Sequence, residues 1–399
     1  MKRFASCPAI LLAAILIANG SPAEELPRFE PQTIDSQVAI GYGTVIDDVD
    51  GDGKPDILLA DKKQFVWYRN PDWKRFVIVE NLTEEDNVCM AARDLDGDGK
   101  VEIAVGAQWN PGDTVNSGSV HYLIAPADRT QKWTPVKLHH EPVVHRMRWV
   151  SLGYDSLRNK KFALVVAPLH GRSNEGGKGA GVKLLAYHMP ENLRDEWRTE
   201  LLDDTLHVTH NFDRGQWGVP QSGPGSPEEI IHYGREGAIA IYTHGDEDWH
   251  KRILPGISGG GEIRMGQLAN KKEFLATVEP FHGSSLVLYR YGAADGPSRT
   301  VLDDDLNQGH AVATADLLGT GGDQVVVGWR GPNSEGHVGV KLHYPTDEAG
   351  TAWKSVWVDQ DKMACEDLRV GDLDGDGRLD IVAAGRGTHN LNVYWNRKP

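Results

Sequence analysis

Three segments of the 399-residue chain repeat one arrangement of carboxylates and glycines: Asp48-Val-Asp-Gly-Asp-Gly-Lys-Pro-Asp56, Asp94-Leu-Asp-Gly-Asp-Gly-Lys-Val-Glu102 and Asp372-Leu-Asp-Gly-Asp-Gly-Arg-Leu-Asp380. Acidic side chains stand at alternate positions: Asp48, Asp50, Asp52 and Asp56; Asp94, Asp96, Asp98 and Glu102; Asp372, Asp374, Asp376 and Asp380. Hard oxygen ligands on a tight glycine-containing turn suit calcium. An EF-hand would need glutamate at the twelfth position, where Leu59, Val105 and Ala383 stand instead. The spacing therefore predicts structural calcium loops between strands; the plainer alternative is an acidic turn that binds nothing tightly.

A second set of residues carries different chemistry: His145, His207, Glu262, His310, Glu366 and Asp367, together with His170, His232, His282, Arg330, Arg386 and His389. They lie far apart in sequence, so only the fold can bring them together. Histidines gathered at the mouth of a channel suit a transition metal or acid–base work, although a single histidine is more often a hydrogen-bonded structural residue.

The positioning elements are strands. Each acidic loop precedes an apolar, β-rich run (Ile57 to Ala60, Ile103 to Gly106, Ile381 to Ala384), and similar runs at 162–167, 229–232, 274–278 and 324–328 bring the number to seven. An alternating segment tipped with tyrosine or tryptophan follows each run, as in Val66-Trp-Tyr68 and Val393-Tyr-Trp395, and period-two alternation is the strand signature. A fourth segment usually opens with tryptophan. The last copy lacks it, and Phe29-Glu-Pro-Gln-Thr-Ile34 supplies the same pattern at the other end of the chain. Four strands in seven copies predict an all-β, seven-bladed propeller of four-stranded antiparallel blades spanning 27–399, closed by an N-terminal strand that completes the last blade. A parallel βαβ fold is the rival, but no helical pattern separates the strands. If each acidic loop joins the first two strands of a blade, the histidine-rich set collects on the opposite face. Tyr42, Lys62, Gln108 and Trp109 are what blades one and two offer there.

Other apparent motifs carry less. His207 and His210 are three apart on an expected strand and face opposite ways unless a bulge intervenes. Gly176 to Gly181 lacks the Ser or Thr of a phosphate loop and lies between strands, and His139-His140 belongs at an outer strand end. The net charge of −15 opposes the basic face that nucleic acid requires. Lys2 and Arg3 before an apolar run and small residues at Ser21 and Ala23 predict a signal peptide over 1–23, hence a secreted or periplasmic protein with no transmembrane segment after cleavage. Cys7 leaves with that peptide, so Cys89 and Cys365 remain and form no disulfide framework.

The acidic loops resemble FG-GAP/VCBS-type propeller repeats. Leu206-His-Val-Thr-His-Asn-Phe212, Val278-Glu-Pro-Phe-His-Gly283, Gly309-His310 with Val327-Gly-Trp-Arg330, Met363-Ala-Cys-Glu-Asp-Leu368 and Ala384-Gly-Arg-Gly-Thr-His-Asn390 together resemble the propeller domain of the aldos-2-ulose dehydratase (anhydrofructose dehydratase) family. The resemblance implies a secreted, metal-dependent carbon–oxygen lyase acting by β-elimination on a keto-sugar such as 1,5-anhydrofructose, glucosone or a keto-glycoside. Combined with the geometric face, it makes His207, His282 and Glu366 candidate ligands for a divalent ion such as zinc or magnesium. His145 and His170 become acid–base candidates; His310, Arg330, Arg386 and His389 become substrate-binding candidates. Two rival readings stand beside this one. One is a non-catalytic, calcium-stabilised propeller that binds carbohydrate or protein; the other is a propeller polysaccharide lyase, which would need a basic groove that the acidic balance disfavours.

Overall fold

The computed structural model describes residues 28–155, 157, 159–217, 226–243, 248–293 and 296–397. The expected signal peptide at 1–23 lies outside them. Seven antiparallel four-stranded sheets follow one another along the chain, and no helix occurs among the described residues. The innermost strands of blades one to seven are Gly43–Asp47, Cys89–Arg93, Val144–Tyr154, Thr209–Gly215, Glu262–Gln267, Gly309–Ala315 and Cys365–Gly371. Each contacts the innermost strands of both neighbours, so the seven close around one axis.

Closure of the ring is as expected. Arg28–Asp35 forms the outer strand of blade seven, pairing antiparallel with Asn390–Arg397 from Arg28 opposite Arg397 to Asp35 opposite Leu391. Joining the first and last strands in one sheet closes the ring of blades and leaves each blade with only short edges.

The core lies between blades rather than inside one. Trp67 and Phe65 of blade one pack with Ile103 and Val105 of blade two, and Trp329 of blade six packs with Phe274 and Leu288 of blade five. The middle strands of each blade are covered on both faces, which is why Asp56–Ala60 and Gln324–Trp329 are buried throughout. Polar staples fix neighbouring blades in register: Asn396 Nδ2 of blade seven donates to the Leu317 carbonyl of blade six at 2.8 Å, and Asn70 Nδ2 of blade one donates to the Leu373 carbonyl of blade seven at 2.6 Å.

The acidic loops join first and second strands, as the repeat implied. Asp48 takes the amides of Gly51 and Gly53, both at positive φ, which shapes each loop as a tight turn. Three carboxylates converge in each: Asp48, Asp50 and Asp56; Asp94, Asp96 and Glu102; Asp372, Asp374 and Asp380. Asp52, Asp98 and Asp376 stay outside these groups and accept from the amides of Lys54, Lys100 and Arg378. Burial pushes Asp56 and Glu102 up to about 7 and Asp380 to about 6, with neighbouring acidic side chains adding to the rise.

Candidate functional site

The face opposite the acidic loops is built by four β-bulges at equivalent places. In blade three the register passes from Val144 opposite Pro168 to Arg146 opposite Ala167, leaving His145 as the extra residue. Blade four does the same at His210, between Thr209 opposite Gly234 and Asn211 opposite Tyr233. Blade six does so at His310 and blade seven at Glu366. A bulge lifts one residue out of the pleat and re-aims its side chain. Four inner strands thus each present a bulged polar residue at the same end of the channel.

Blade five contributes differently. Glu262 pairs with Val278 without a register shift, and the histidine comes from the turn after the second strand, Glu279-Pro-Phe-His-Gly283. His282 sits there at φ 48°, a conformation uncommon for a residue with a side chain and a feature often found at functional sites. A Cβ on Gly283 would lie 2.2 Å from the carbonyl oxygens of Glu279 and Pro280, so the turn admits only glycine at that place.

His210 stands at the centre of the cluster. Its ring meets His145, His282 and His310 edge-on, with centroids 4.3, 4.5 and 4.7 Å away. Phe281 packs 5.3 Å from His210 and 4.8 Å from His282, and Trp109 stacks on His145 at 4.8 Å. One ligand atom from each of His210, His282 and His310 lies within 4.8 Å of the other two.

Each ring has a defined orientation. His210 Nδ1 lies 2.7 Å from Glu262 Oε1, and His310 Nδ1 lies 2.6 Å from the Glu366 backbone carbonyl. Because those oxygens only accept, both rings carry their proton on Nδ1 and offer Nε2 as the lone pair. Nε2 of His210 and of His282 is buried with no hydrogen-bond partner. At His145 the polarity reverses: Arg146 Nη1, a donor, lies 3.0 Å from Nδ1, so the neutral ring carries its hydrogen on Nε2. Burial pushes His145, His210 and His310 well below the ordinary imidazole range, reinforced by Arg146, His282 and Arg330 respectively, and takes His282 down to about 4. The four rings are therefore neutral at physiological pH, the form in which imidazole binds metals.

FG-GAP repeat profiles match residues 48–105 and 90–123, and the profile of the aldos-2-ulose dehydratase β-propeller domain matches residues 117–291, which include His145, His210, Glu262 and His282. The chain carries FG-GAP repeats and resembles the aldos-2-ulose dehydratase propeller domain. Aldos-2-ulose dehydratase of Phanerodontia chrysosporium is 24% identical over 243 residues, covering 54% of this chain and 26% of that enzyme. The chain thus aligns with only about a quarter of the length of this curated relative. Among solved structures, a chain of the mitotic checkpoint complex superposes with a TM-score of 0.55 at 10% identity over 99% of both chains. A chain of the BBS1N–ARL6DN complex soaked with lead gives 0.56 at 13% identity, covering 94% of this chain and 98% of that one. At such identities these structures share the fold alone.

Compared with the sequence reading, the structure keeps His145, His282 and His310 together and redistributes other roles. His207, expected as a ligand, is outside the triad: its side chain is 38% exposed and its Nδ1 meets Glu236 at 3.0 Å. His210 takes the inward place because the inner strand begins at Thr209 and bulges one residue later. Glu366, also expected as a ligand, has one carboxylate oxygen 2.5 Å from Arg330 and the other 3.1 Å from Arg386, while its backbone carbonyl orients His310. His389 accepts the Val38 amide at its carbonyl and holds the Val38 carbonyl through Nδ1, tying down the segment after the closing strand. His232 of blade four is fully buried against blade three, its Nδ1 3.4 Å from Asp203 at the end of that blade's outer strand. His170 is half-buried, bridged to Val208, with its Nδ1 unpartnered.

Proposed function

We propose that this propeller is a secreted, metal-dependent carbohydrate lyase that removes water from a keto-sugar of the 1,5-anhydrofructose, glucosone or keto-glycoside type. The observation that carries the reading is the His210, His282 and His310 cluster, in which two rings are already oriented through their second nitrogen. Metal-ligating histidines typically donate that nitrogen's hydrogen to a carboxylate or a backbone carbonyl, as Glu262 and Glu366 permit here. Three neutral imidazoles with buried lone pairs fit a divalent ion of the zinc class. Such an ion supplies Lewis acidity toward a carbonyl oxygen.

The remaining groups fit an elimination. Loss of a proton beside the carbonyl and of a hydroxyl from the next carbon leaves an enone and water. His145 directs an N–H from a neutral ring as a hydrogen-bond donor to the departing oxygen and keeps that hydrogen. The proton taken from carbon is passed to the hydroxide to give water. His170, with an unpartnered nitrogen, is the candidate proton acceptor. Arg386, whose side chain is 43% exposed and whose guanidinium lies 5.7 Å from the centre of the Tyr42 ring, offers donors at the rim for sugar hydroxyls. On the opposite face the acidic loops serve calcium in a structural role.

Incubation of the purified protein with a panel of keto-sugars and 3-keto-glycosides, followed by ultraviolet absorbance, tests the reading. An enone should accumulate with wild type and not with His282→Ala; absence of an enone with every substrate would sink it. The alignment with about a quarter of the dehydratase also supports a second reading, a propeller that binds the carbohydrate without transforming it. Saturable sugar binding with no enone would select that reading.

A further inference from the structure

The channel changes character toward the acidic-loop face. Beyond the histidines, the inner strands present Arg148 from blade three, Arg264 from blade five and Arg369 from blade seven, which line one cavity of about 400 Å³. Arg214 of blade four reaches the same cavity, and small or polar residues such as Ala313 and Thr314 line the blade-six side.

The arginines are incompletely satisfied. Arg148 donates to the Phe212 carbonyl at 2.9 Å and to Asn211 Oδ1 at 3.2 Å, and among the described residues it forms no ion pair with a carboxylate. Arg264 is 8% exposed; its Nη2 lies 3.2 Å from Glu262 Oε2, yet that nitrogen is buried without a hydrogen-bond partner. Arg369 spends Nη1 on Asp367 Oδ1 and the Leu368 carbonyl. The carboxylates in the lining are Asp213, Glu273 and Asp323. Asp213 accepts from the Met265 amide and Asp323 from the Gln267 amide. Glu228, outside the lining, holds Arg93 and Arg214. Burial, followed by repulsion from Arg264, brings Arg148 down to about 9. Guanidinium charge gathered in a recess with unused donors has the chemistry of an oxyanion site, since the planar fork matches carboxylate, sulfate and phosphate oxygens.

We propose that this cavity binds an oxyanion, with Arg148, Arg264 and Arg369 converging on its oxygens from three blades. The site lies toward the end of the channel opposite the histidine cluster and does not depend on the lyase reading. Sulfate, phosphate and gluconate share the required chemistry, and comparing them separates an inorganic ligand from the carboxylate of an organic acid.

The test is titration of the full, calcium-loaded protein with each of the three anions, with chloride matching ionic strength and calcium kept low enough to avoid precipitation. Calorimetry and thermal unfolding provide the readouts. At least one anion should give saturable heat and a rise in Tm beyond that in chloride, and Arg264→Gln with Arg369→Gln should weaken its binding about tenfold or more, roughly one charge-assisted contact's worth. His282→Ala should bind the anion as wild type does. Because the arginine variants could unfold, Ala313→Asp provides an independent arm: a carboxylate fixed in the lining should abolish binding and raise Tm in chloride alone. Equal response to all three anions and chloride, or undiminished affinity in folded Ala313→Asp, would overturn the proposal.

Discussion

Glu262 Oε1 receives the Nδ1 hydrogen of His210 at 2.7 Å, with the two side chains 2% and 1% exposed. The other carboxylate oxygen accepts from Asn211 Nδ2 at 2.9 Å, so the neighbour of the bulged histidine helps to hold its partner. This arrangement fixes which nitrogen of His210 faces the cluster. It is also a connection between blades: the histidine belongs to blade four and the carboxylate to blade five.

Glu262→Gln is expected to keep the fold and loosen that orientation, because an amide can present either a donor or an acceptor to Nδ1. Divalent-ion affinity, measured by competition with a coloured chelator, should fall about 10- to 100-fold, the usual cost of losing such a partner. Unchanged affinity would mean that His210 is not a ligand.

The two bulged histidines of the triad make a sharper comparison possible. His210→Ala and His310→Ala should each abolish tight binding of one divalent ion per chain, measured by elemental analysis after gel filtration, whereas His207→Ala should retain it. A loss confined to His207→Ala would return the site to the half-exposed pair with Glu236.

The contrast between His207 and His210 shows what a sequence can and cannot convey. Seven apolar runs and the displaced Phe29 to Ile34 segment were enough to give the propeller, its blade order and its closure, because strand period and repetition are local properties. The acidic loops were legible for the same reason. The histidine face was legible only as a face. Strict alternation cannot anticipate a bulge, and four bulges, with the turn that carries His282, decide which residues reach the channel. A trace of them exists in adjacent polar pairs such as His145-Arg146, His210-Asn211 and Glu366-Asp367, where a regular strand would turn one residue of each pair away. The pairing of Glu366 with Arg330 had no such trace, since it depends on the packing of blade six against blade seven.

The calcium proposed at the acidic loops leads to a prediction about chelation. Asp56, Glu102 and Asp380 titrate above their unfolded values because they are buried near other carboxylates. For a raised acid, the stability linked to protonation is present below the unfolded pKa and is lost as pH rises through the folded one, here about 6 to 7. A calcium-selective chelator should therefore lower Tm more at about pH 8 than at about pH 6, and each site occupied at a hundred times its Kd should restore about 2.7 kcal/mol. Identical unfolding curves with and without chelator would leave the loops as plain acidic turns.

His121 offers a pH test remote from both sites. It is 6% exposed in blade two, its Nδ1 has no hydrogen-bond partner, and burial, aided by Lys137 and His140, brings it to about 4. An unfolded chain takes up the proton near pH 6.5 and the folded chain only near pH 4, so between those values the unfolded state binds more protons and stability falls as pH falls. At about 1.4 kcal/mol per unit, the loss attributable to this ring approaches about 3 kcal/mol at the acid end. His121→Leu removes the titrating group while keeping an apolar side chain in place. Denaturant midpoints measured from about pH 7 to about pH 4.5 should decline less steeply for the variant than for wild type, and parallel curves would show that His121 is protonated as readily in the folded chain as in the unfolded one.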